Sequence, residues 1–130
     1  MPFIIQISGG PGQENCPEAW VTEGIKKDAY SDESIEAIAQ QIYDYTFKTL
    51  IELDKSGLMP EFVQVDHEIN RDMCVPYNAG YEWTMKWFRQ AMLLNSGTKA
   101  IRDASKKSQV TPRIVMHKAN PNASVTFLQR

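Results

Sequence analysis

Residues 31–68 read SDESIEAIAQQIYDYTFKTLIELDKSGLMPEFVQVDHE, and this stretch decides the fold. Its first part predicts one long helix, because apolar positions recur at steps of three and four and form a single stripe: Ile35, Ile38, Ala39, Ile42, Thr46, Leu50 and Leu53. Ser31 or Asp32 can cap the start of this helix, and Gly57 suits the left-handed position after a last helical turn. We therefore expect a helix over residues 32–56.

The segments on either side predict that strands and helices alternate. Short apolar runs at residues 3–7, 62–65 and 113–117 are typical of strands, and a second apolar stripe predicts a helix over residues 82–106. Residues 13–30 show no regular pattern, and we expect an irregular segment there, although residues 18–20 could form a turn of helix. Strand–helix–strand–helix–strand order implies parallel strands joined by right-handed crossovers. The predicted fold class is α/β, with a βαβαβ parallel-strand segment.

The composition is that of one ordinary folded unit. The chain has 130 residues, of which 42% are hydrophobic and 23% charged, and its formal net charge is −2. This charge gives no attraction to phosphate backbones, and no apolar run approaches the roughly 20 residues of a spanning helix, so we expect neither nucleic acid nor a membrane as a partner. The apolar run at residues 3–7 is too short for a signal-peptide core, so we expect no export signal. Residues 1–130 form a single predicted unit, with a polar tail at 121–130.

Ionisable side chains directly follow the second predicted strand. Asp66, His67 and Glu68 come after residues 62–65, at the carboxyl end where parallel α/β proteins gather their ligand sites. Packing does not explain three ionisable groups at a strand end, because unpartnered buried carboxylates are costly. In a partly buried site Glu68 would have a raised pKa and could act as a general acid or base. A solvated loop after the strand is the alternative.

A metal site is a less well supported interpretation of the same residues. A zinc-protease helix carries His at i and i+4, and the residue four after His67 is Arg71. His67 could still join His117 and Asp66 around an ion, so a ligand- or metal-binding module stays open as an alternative to an enzyme. We expect neither a metal nor a cofactor.

The two cysteines do not indicate a redox or metal centre. Cys16 and Cys74 are 58 positions apart, and neither belongs to a CxxC motif. Two unpaired thiols and one disulfide are both compatible with this spacing.

Several aromatic residues fall where a sugar could be bound. Trp20 and Tyr77 lie in predicted loops on the carboxyl side of the strands, where their rings could stack on sugar rings, although each could also serve packing alone. Trp87 falls on the apolar side of the second helix, and we expect it in the core.

Residues 63–76, VQVDHEINRDMCVP, resemble the fourth-strand segment of arabinogalactan endo-β-1,4-galactanases, which is close to VQVGNEI-x-x-G-M-L-W-P. These enzymes are (β/α)8 barrels of glycoside hydrolase family 53. Further segments are similar to the family in order and spacing: residues 11–20 to a D-P-G-K-Q…P-x-A-W loop, residues 42–46 to a V-Y-x-Y-T helix, and residues 94–103 and 114–117 to the fourth helix and fifth strand. The likeness covers residues 11–120, and residues 1–10 depart from it.

The resemblance implies a role for individual residues. Glu68 matches the family's acid/base glutamate, and His117 matches a position at the rim of the substrate cleft. His67 stands where the family has an asparagine that contacts the sugar, and Asp66 stands where it has glycine. Two further family positions, glycine and tryptophan, are Asp72 and Val75 here. The implied substrate is β-1,4-galactan, and proteins of this family are secreted.

A retaining glycosidase needs two carboxylates about 5–5.5 Å apart. The resemblance implies that the second one, the nucleophile, comes from a seventh strand, whereas this sequence predicts about three strands of the eight. We therefore expect a partial barrel that is inactive alone and that covers its sheet edges by self-association, most simply as a two-fold dimer. A non-catalytic α/β scaffold that reuses the segment is the alternative.

Overall fold

The computed structural model describes residues 4–7, 20, 22–65 and 87–117 of the chain. Three short strands and three helices make up this part, in the order β1 (Ile4–Ile7), α1 (Glu23–Lys27), α2 (Asp32–Lys55), β2 (Phe62–Val65), α3 (Trp87–Ser105) and β3 (Arg113–Val115). The alternation predicted from the sequence is therefore confirmed.

The strands form one parallel sheet in the order β1-β2-β3. Ile5 pairs with Val63, and Val63 pairs with Ile114, so β2 is the central strand. Each consecutive pair of strands is parallel, and each pair is connected through a segment that contains a long helix. This topology confirms the α/β class and the parallel pairing. Among the described strands the sheet is open, because β1 and β3 each pair only with β2.

Helix α2 begins and ends as its sequence predicts, to within one residue. The Ser31 side chain accepts a hydrogen bond from the Ser34 N–H at 3.2 Å, which is the N-cap interaction. Gly57 has a φ of 72°, the left-handed conformation that glycine adopts at low cost after a helix. The helix ends at Lys55, one residue before the predicted boundary.

The core lies between the two long helices and β2. The predicted apolar stripe of α2 supplies several of its members, including Ile38 and Leu50, which are both fully buried. Val63 and Val65 of β2 and Leu93 and Ile101 of α3 complete the cluster from the other sides. Burial of these side chains is the main stabilising contribution of the described fold.

The prediction of an irregular segment over residues 13–30 is wrong for α1. Thr22 caps this short helix by accepting a hydrogen bond from the Ile25 N–H at 3.3 Å, and Lys26 pairs with Glu23 at 2.9 Å. Ile25 is 1% exposed and anchors the helix to the core. One buried side chain in five residues is too little for a periodic pattern, so tertiary packing decides that this helix forms.

The prediction that Trp87 lies in the core is also wrong. Trp87 is the first residue of α3 and is 38% exposed, whereas Leu94 and Ile101 of the same predicted stripe are buried. The first turn of α3 buries Arg89 and Gln90 instead. Two polar side chains thus take the inner positions at the start of α3, where the periodic pattern predicts a tryptophan.

The remaining boundaries differ slightly from the predictions. Helix α3 ends at Ser105 rather than at residue 106, and its predicted first residues, 82–86, lie outside the described residues. Strand β3 ends at Val115, two residues earlier than predicted. Within the described part of the chain, no helix combines the length and the apolar character needed to cross a membrane.

Candidate functional site at the carboxyl edge of the sheet

The carboxyl ends of the three strands share one edge of the sheet. Ile7 pairs with Val65, the last residue of β2, and Gln64 pairs with Val115, the last residue of β3. Because all three strands are parallel, the chain leaves each of them at this same edge. The three described strands therefore end at one common edge of the sheet.

The central strand presents different side chains to its two faces. Val63 and Val65 belong to the core that the helices cover. Side chains alternate along a strand, so Gln64 points to the opposite face, and it is only 9% exposed. A largely buried polar side chain therefore lies on the face of β2 opposite to Val63 and Val65.

His117 is one of two candidate residues that the structure describes. It lies two residues beyond the end of β3 and is partly exposed, and the preceding Met116 is 58% exposed. This places it at the carboxyl edge, as the sequence predicts. Other candidate positions lie outside the described residues: His67, Glu68 and Tyr77, together with Asp66, Asp72, Val75, Cys16 and Cys74.

Trp20 is the other described candidate, and it contacts a helix. Its ring packs edge-on against Tyr45 of α2, with the ring centroids 5.8 Å apart and the planes at 68°. It is half-buried against the core, and Tyr45 itself is 52% exposed. The described ring contact is thus one of packing, and sugar stacking by Trp20 stays a prediction.

Arg89 is a buried charged residue that the sequence gave no reason to single out. It lies in the first turn of α3 and is 1% exposed. Its Nε donates a hydrogen bond to the carbonyl oxygen of Ala29 at 3.1 Å, and its guanidinium lies 5.2 Å from the centre of the Tyr30 ring. Arg89 therefore joins the start of α3 to the turn that precedes α2. An arginine at a helix start is usually solvated, so periodicity alone could not have found it.

A second polar cluster joins the outer sides of α2 and α3. The Tyr43 hydroxyl donates a hydrogen bond to Asp103 at 2.6 Å, and Lys99 and Lys106 pair with the same carboxylate at 2.7 and 3.1 Å. Hydrogen bonds from Lys99, Tyr43 and Lys106 hold the pKa of Asp103 well below its usual range. The Asp103 carboxylate in turn raises the pKa of Tyr43 and of Lys99.

This cluster serves to hold the helices together. Tyr43 belongs to α2, and Lys99 and Asp103 belong to α3, so these contacts join the two helices. An open groove of about 740 Å³ adjoins the cluster between α2 and α3, and neither His117 nor Trp20 lines it. The described residues contain no group of three or more side chains able to hold a metal ion.

We expect Asp103→Asn to lower the stability of the chain at neutral pH and to lower it by less at pH 3. The pKa of Asp103 is lower in the folded state, so its contribution is fully present above the unfolded-state pKa of about 3.9 and declines as pH falls below that value towards the folded-state pKa. Urea unfolding of both proteins between pH 7 and pH 3 measures the difference. Glu52→Gln is the matched control, because Glu52 pairs with Lys55 on the surface and both side chains are more than 60% exposed. A stability difference for Asp103→Asn that stays constant down to pH 3 would contradict the assignment.

The comparisons with known proteins show the family of the chain. A profile of Glycosyl hydrolase family 53 matches residues 10–129, so the chain belongs to that family of glycoside hydrolases. It is 33% identical over 120 residues to "Arabinogalactan endo-beta-1,4-galactanase" of Cellvibrio japonicus, which covers 92% of this chain and 30% of that protein. It is 26% identical over 110 residues to "Arabinogalactan endo-beta-1,4-galactanase A" of Emericella nidulans, covering 85% of this chain and 27% of the relative.

A third relative is "Endo-beta-1,4-galactanase" of Bacillus subtilis, which is 25% identical over 114 residues, or 88% of this chain and 21% of the relative. The chain thus spans less than a third of the length of each of these curated relatives. Membership of the family, as the motifs of the sequence indicate, is confirmed.

Proposed function

We propose that this chain carries the acid/base part of an endo-β-1,4-galactanase site, with Glu68 as the acid/base residue. One observation carries the proposal: β2 is the central strand of a parallel sheet and ends at Val65, three residues before Glu68. Three residues of chain reach at most about 11 Å. The proposed site is therefore at the carboxyl edge, where His117 also lies.

The chemistry of this site follows that of retaining glycosidases. Glu68 would protonate the leaving glycosidic oxygen of β-1,4-galactan and then remove a proton from the water that hydrolyses the intermediate. His67 and His117 would contact the sugar, with His67 in the place of the family's asparagine, and Trp20 and Tyr77 would supply stacking surfaces. This role for Glu68 is supported by its match to the family motif and by the membership in family 53.

Hydrolysis with retention requires a second carboxylate, which acts as the nucleophile. By resemblance it comes from the seventh strand of a (β/α)8 barrel, beyond the strands that match here. We therefore propose that the 130-residue chain has no turnover by itself and that its three strands are part of a barrel. A second copy that pairs with the open edges of β1 and β3 would cover the sheet.

Two assays on β-1,4-galactan test this proposal. The first uses the 130-residue chain, and we expect no release of reducing sugar above the level of its Glu68→Gln variant. The second uses a chimera in which residues 10–129 replace the matching segment of the Cellvibrio japonicus galactanase, and we expect hydrolysis. A folded chimera without activity would contradict the role of Glu68, and Glu68-dependent turnover by the chain alone would contradict the need for a second carboxylate from elsewhere.

Light scattering of the same 130-residue sample measures its mass. A mass of two chains supports coverage of the edges by a second copy, and a mass of one chain contradicts it. Calorimetric titration with Zn²⁺ distinguishes the proposed enzyme site from a metal-binding module. A metal-binding module predicts that Zn²⁺ binding releases or takes up heat in the original chain and that this heat is absent in His67→Ala.

A further inference from the structure

Gly97 lies inside α3, where glycine is unfavourable. It is ten residues from the start of the helix and eight from its end, so it caps neither terminus. Glycine is among the weakest helix formers in a helix interior, because it has the most backbone freedom to lose. Another property of this position must therefore favour glycine.

That property is the distance between α3 and the end of β2. A Cβ atom at position 97 would lie 2.7 Å from one γ-carbon of Val65 and 3.2 Å from the other. It would also lie 3.5 Å from a γ-carbon of Ile42 on α2. The backbone of α3 thus rests directly on the side chain of the last residue of β2.

The surroundings leave little room for an added methyl group. Val65 and Ile42 are 1% and 2% exposed, and both are β-branched, so their side chains have few alternative rotamers. The neighbouring Ser96 hydroxyl donates a hydrogen bond to the Ala39 carbonyl of α2, and Arg89 fixes the start of α3. A clash at position 97 must therefore shift α3 and the end of β2 relative to each other.

We propose that Gly97 is a positioning residue for Glu68. By letting α3 touch Val65, it fixes the point from which the chain continues through Asp66 and His67 to Glu68. This inference rests on the proposed role of Glu68 and adds a residue that contacts neither substrate nor any reacting atom.

The first test uses the 130-residue chain and measures geometry without activity. We expect Gly97→Ala to shift the backbone amide resonances of Val65 and of residues 66–68. The double variant Gly97→Ala/Val65→Ala should return the resonances of residues 66–68 towards their original positions, because the smaller side chain restores the space. Gly24→Ala is the matched control, since the nearest atom to its Cβ would be 3.8 Å away. Unchanged resonances in Gly97→Ala would overturn the inference.

The second test measures activity in the galactanase chimera. We expect Gly97→Ala to lower kcat on galactan by about 10- to 100-fold with little change in KM, and to shift the basic limb of the pH–rate profile. Adding Val65→Ala should restore most of kcat, whereas Gly24→Ala should leave it unchanged. A loss that Val65→Ala does not restore would overturn the steric explanation.

The two proposals fail in different ways. If Glu68→Gln leaves the activity of the chimera unchanged, the proposed function is wrong whatever Gly97→Ala does. If Glu68→Gln lowers kcat and Gly97→Ala changes neither kcat nor the pH profile, the function stands and the positioning role of Gly97 is wrong.

Discussion

Replacing Glu68 by glutamine in the galactanase chimera is expected to lower kcat on β-1,4-galactan by about 10²- to 10⁴-fold. Glutamine keeps the shape of the side chain but can neither donate a proton to the glycosidic oxygen nor accept one from water. The loss should be much smaller for the glycosylation step of a nitrophenyl galactoside, because nitrophenolate leaves without protonation. Initial rates on both substrates, with burst kinetics to isolate the first step, measure the difference.

Glu61→Gln is the matched control for this variant. Glu61 directly precedes β2, at the opposite end of the strand from Glu68, and its side chain is exposed. The backbone carbonyl of Glu61 accepts a hydrogen bond from the Arg113 N–H at 2.7 Å, beside the paired strands β2 and β3. The substitution changes only the side chain, so this hydrogen bond is kept. Equal losses for the two variants, or the same loss on both substrates, would contradict acid/base catalysis by Glu68.

The largest expected loss of stability is that of Ile38→Ala. Ile38 lies in the middle of the buried stripe of α2 and has no exposed surface. Truncation removes three carbon atoms from the core and leaves a cavity, so the free energy of unfolding should fall by about 2–5 kcal/mol. Urea unfolding of the 130-residue chain at pH 7 measures it, by linear extrapolation to water.

Ile51→Ala provides the comparison for Ile38→Ala. Ile51 lies on the same helix and packs against the same core, but it is only half-buried. The same truncation there removes less buried surface and leaves a space that water can enter, so the loss should be clearly smaller. A loss at Ile51 that equals the loss at Ile38 would show that the core is not centred on the stripe of α2.

Helix α2 could be predicted from the sequence because its signals are local. The apolar stripe, the Ser31 cap and Gly57 each act within a few residues of chain, and each is confirmed at its place. The strand Phe62–Val65 was equally clear, since it is a short apolar run between a proline and a polar cluster. The alternation of these elements then left parallel pairing as the expected topology.

The errors fall where distant contacts override local pattern. Helix α1 depends on the burial of Ile25 in the core. At the start of α3, Arg89 is buried and Trp87 is partly exposed. The partners of Arg89 are Ala29 and Tyr30, which lie some 60 residues earlier in the chain. Periodicity cannot find such partners, because it registers only neighbours along the chain. Gly97 is visible in the sequence as a glycine inside a predicted helix. The reason for a glycine there is the close approach of Val65, which only the structure shows.

The sequence by itself determined the α/β class, the long helix α2, the strand at residues 62–65 and the membership in family 53, because local periodicity and motifs in a fixed order indicate all four. It also singled out Glu68 as the candidate acid/base residue, and this stays a prediction. Only the tertiary structure decided that Trp20 packs on Tyr45, that Arg89 is buried against Ala29, and that α3 touches β2 at Gly97. The physical reason is that these contacts join residues 25 to 60 positions apart, and a pairing over such distances is set by how the helices pack on the sheet.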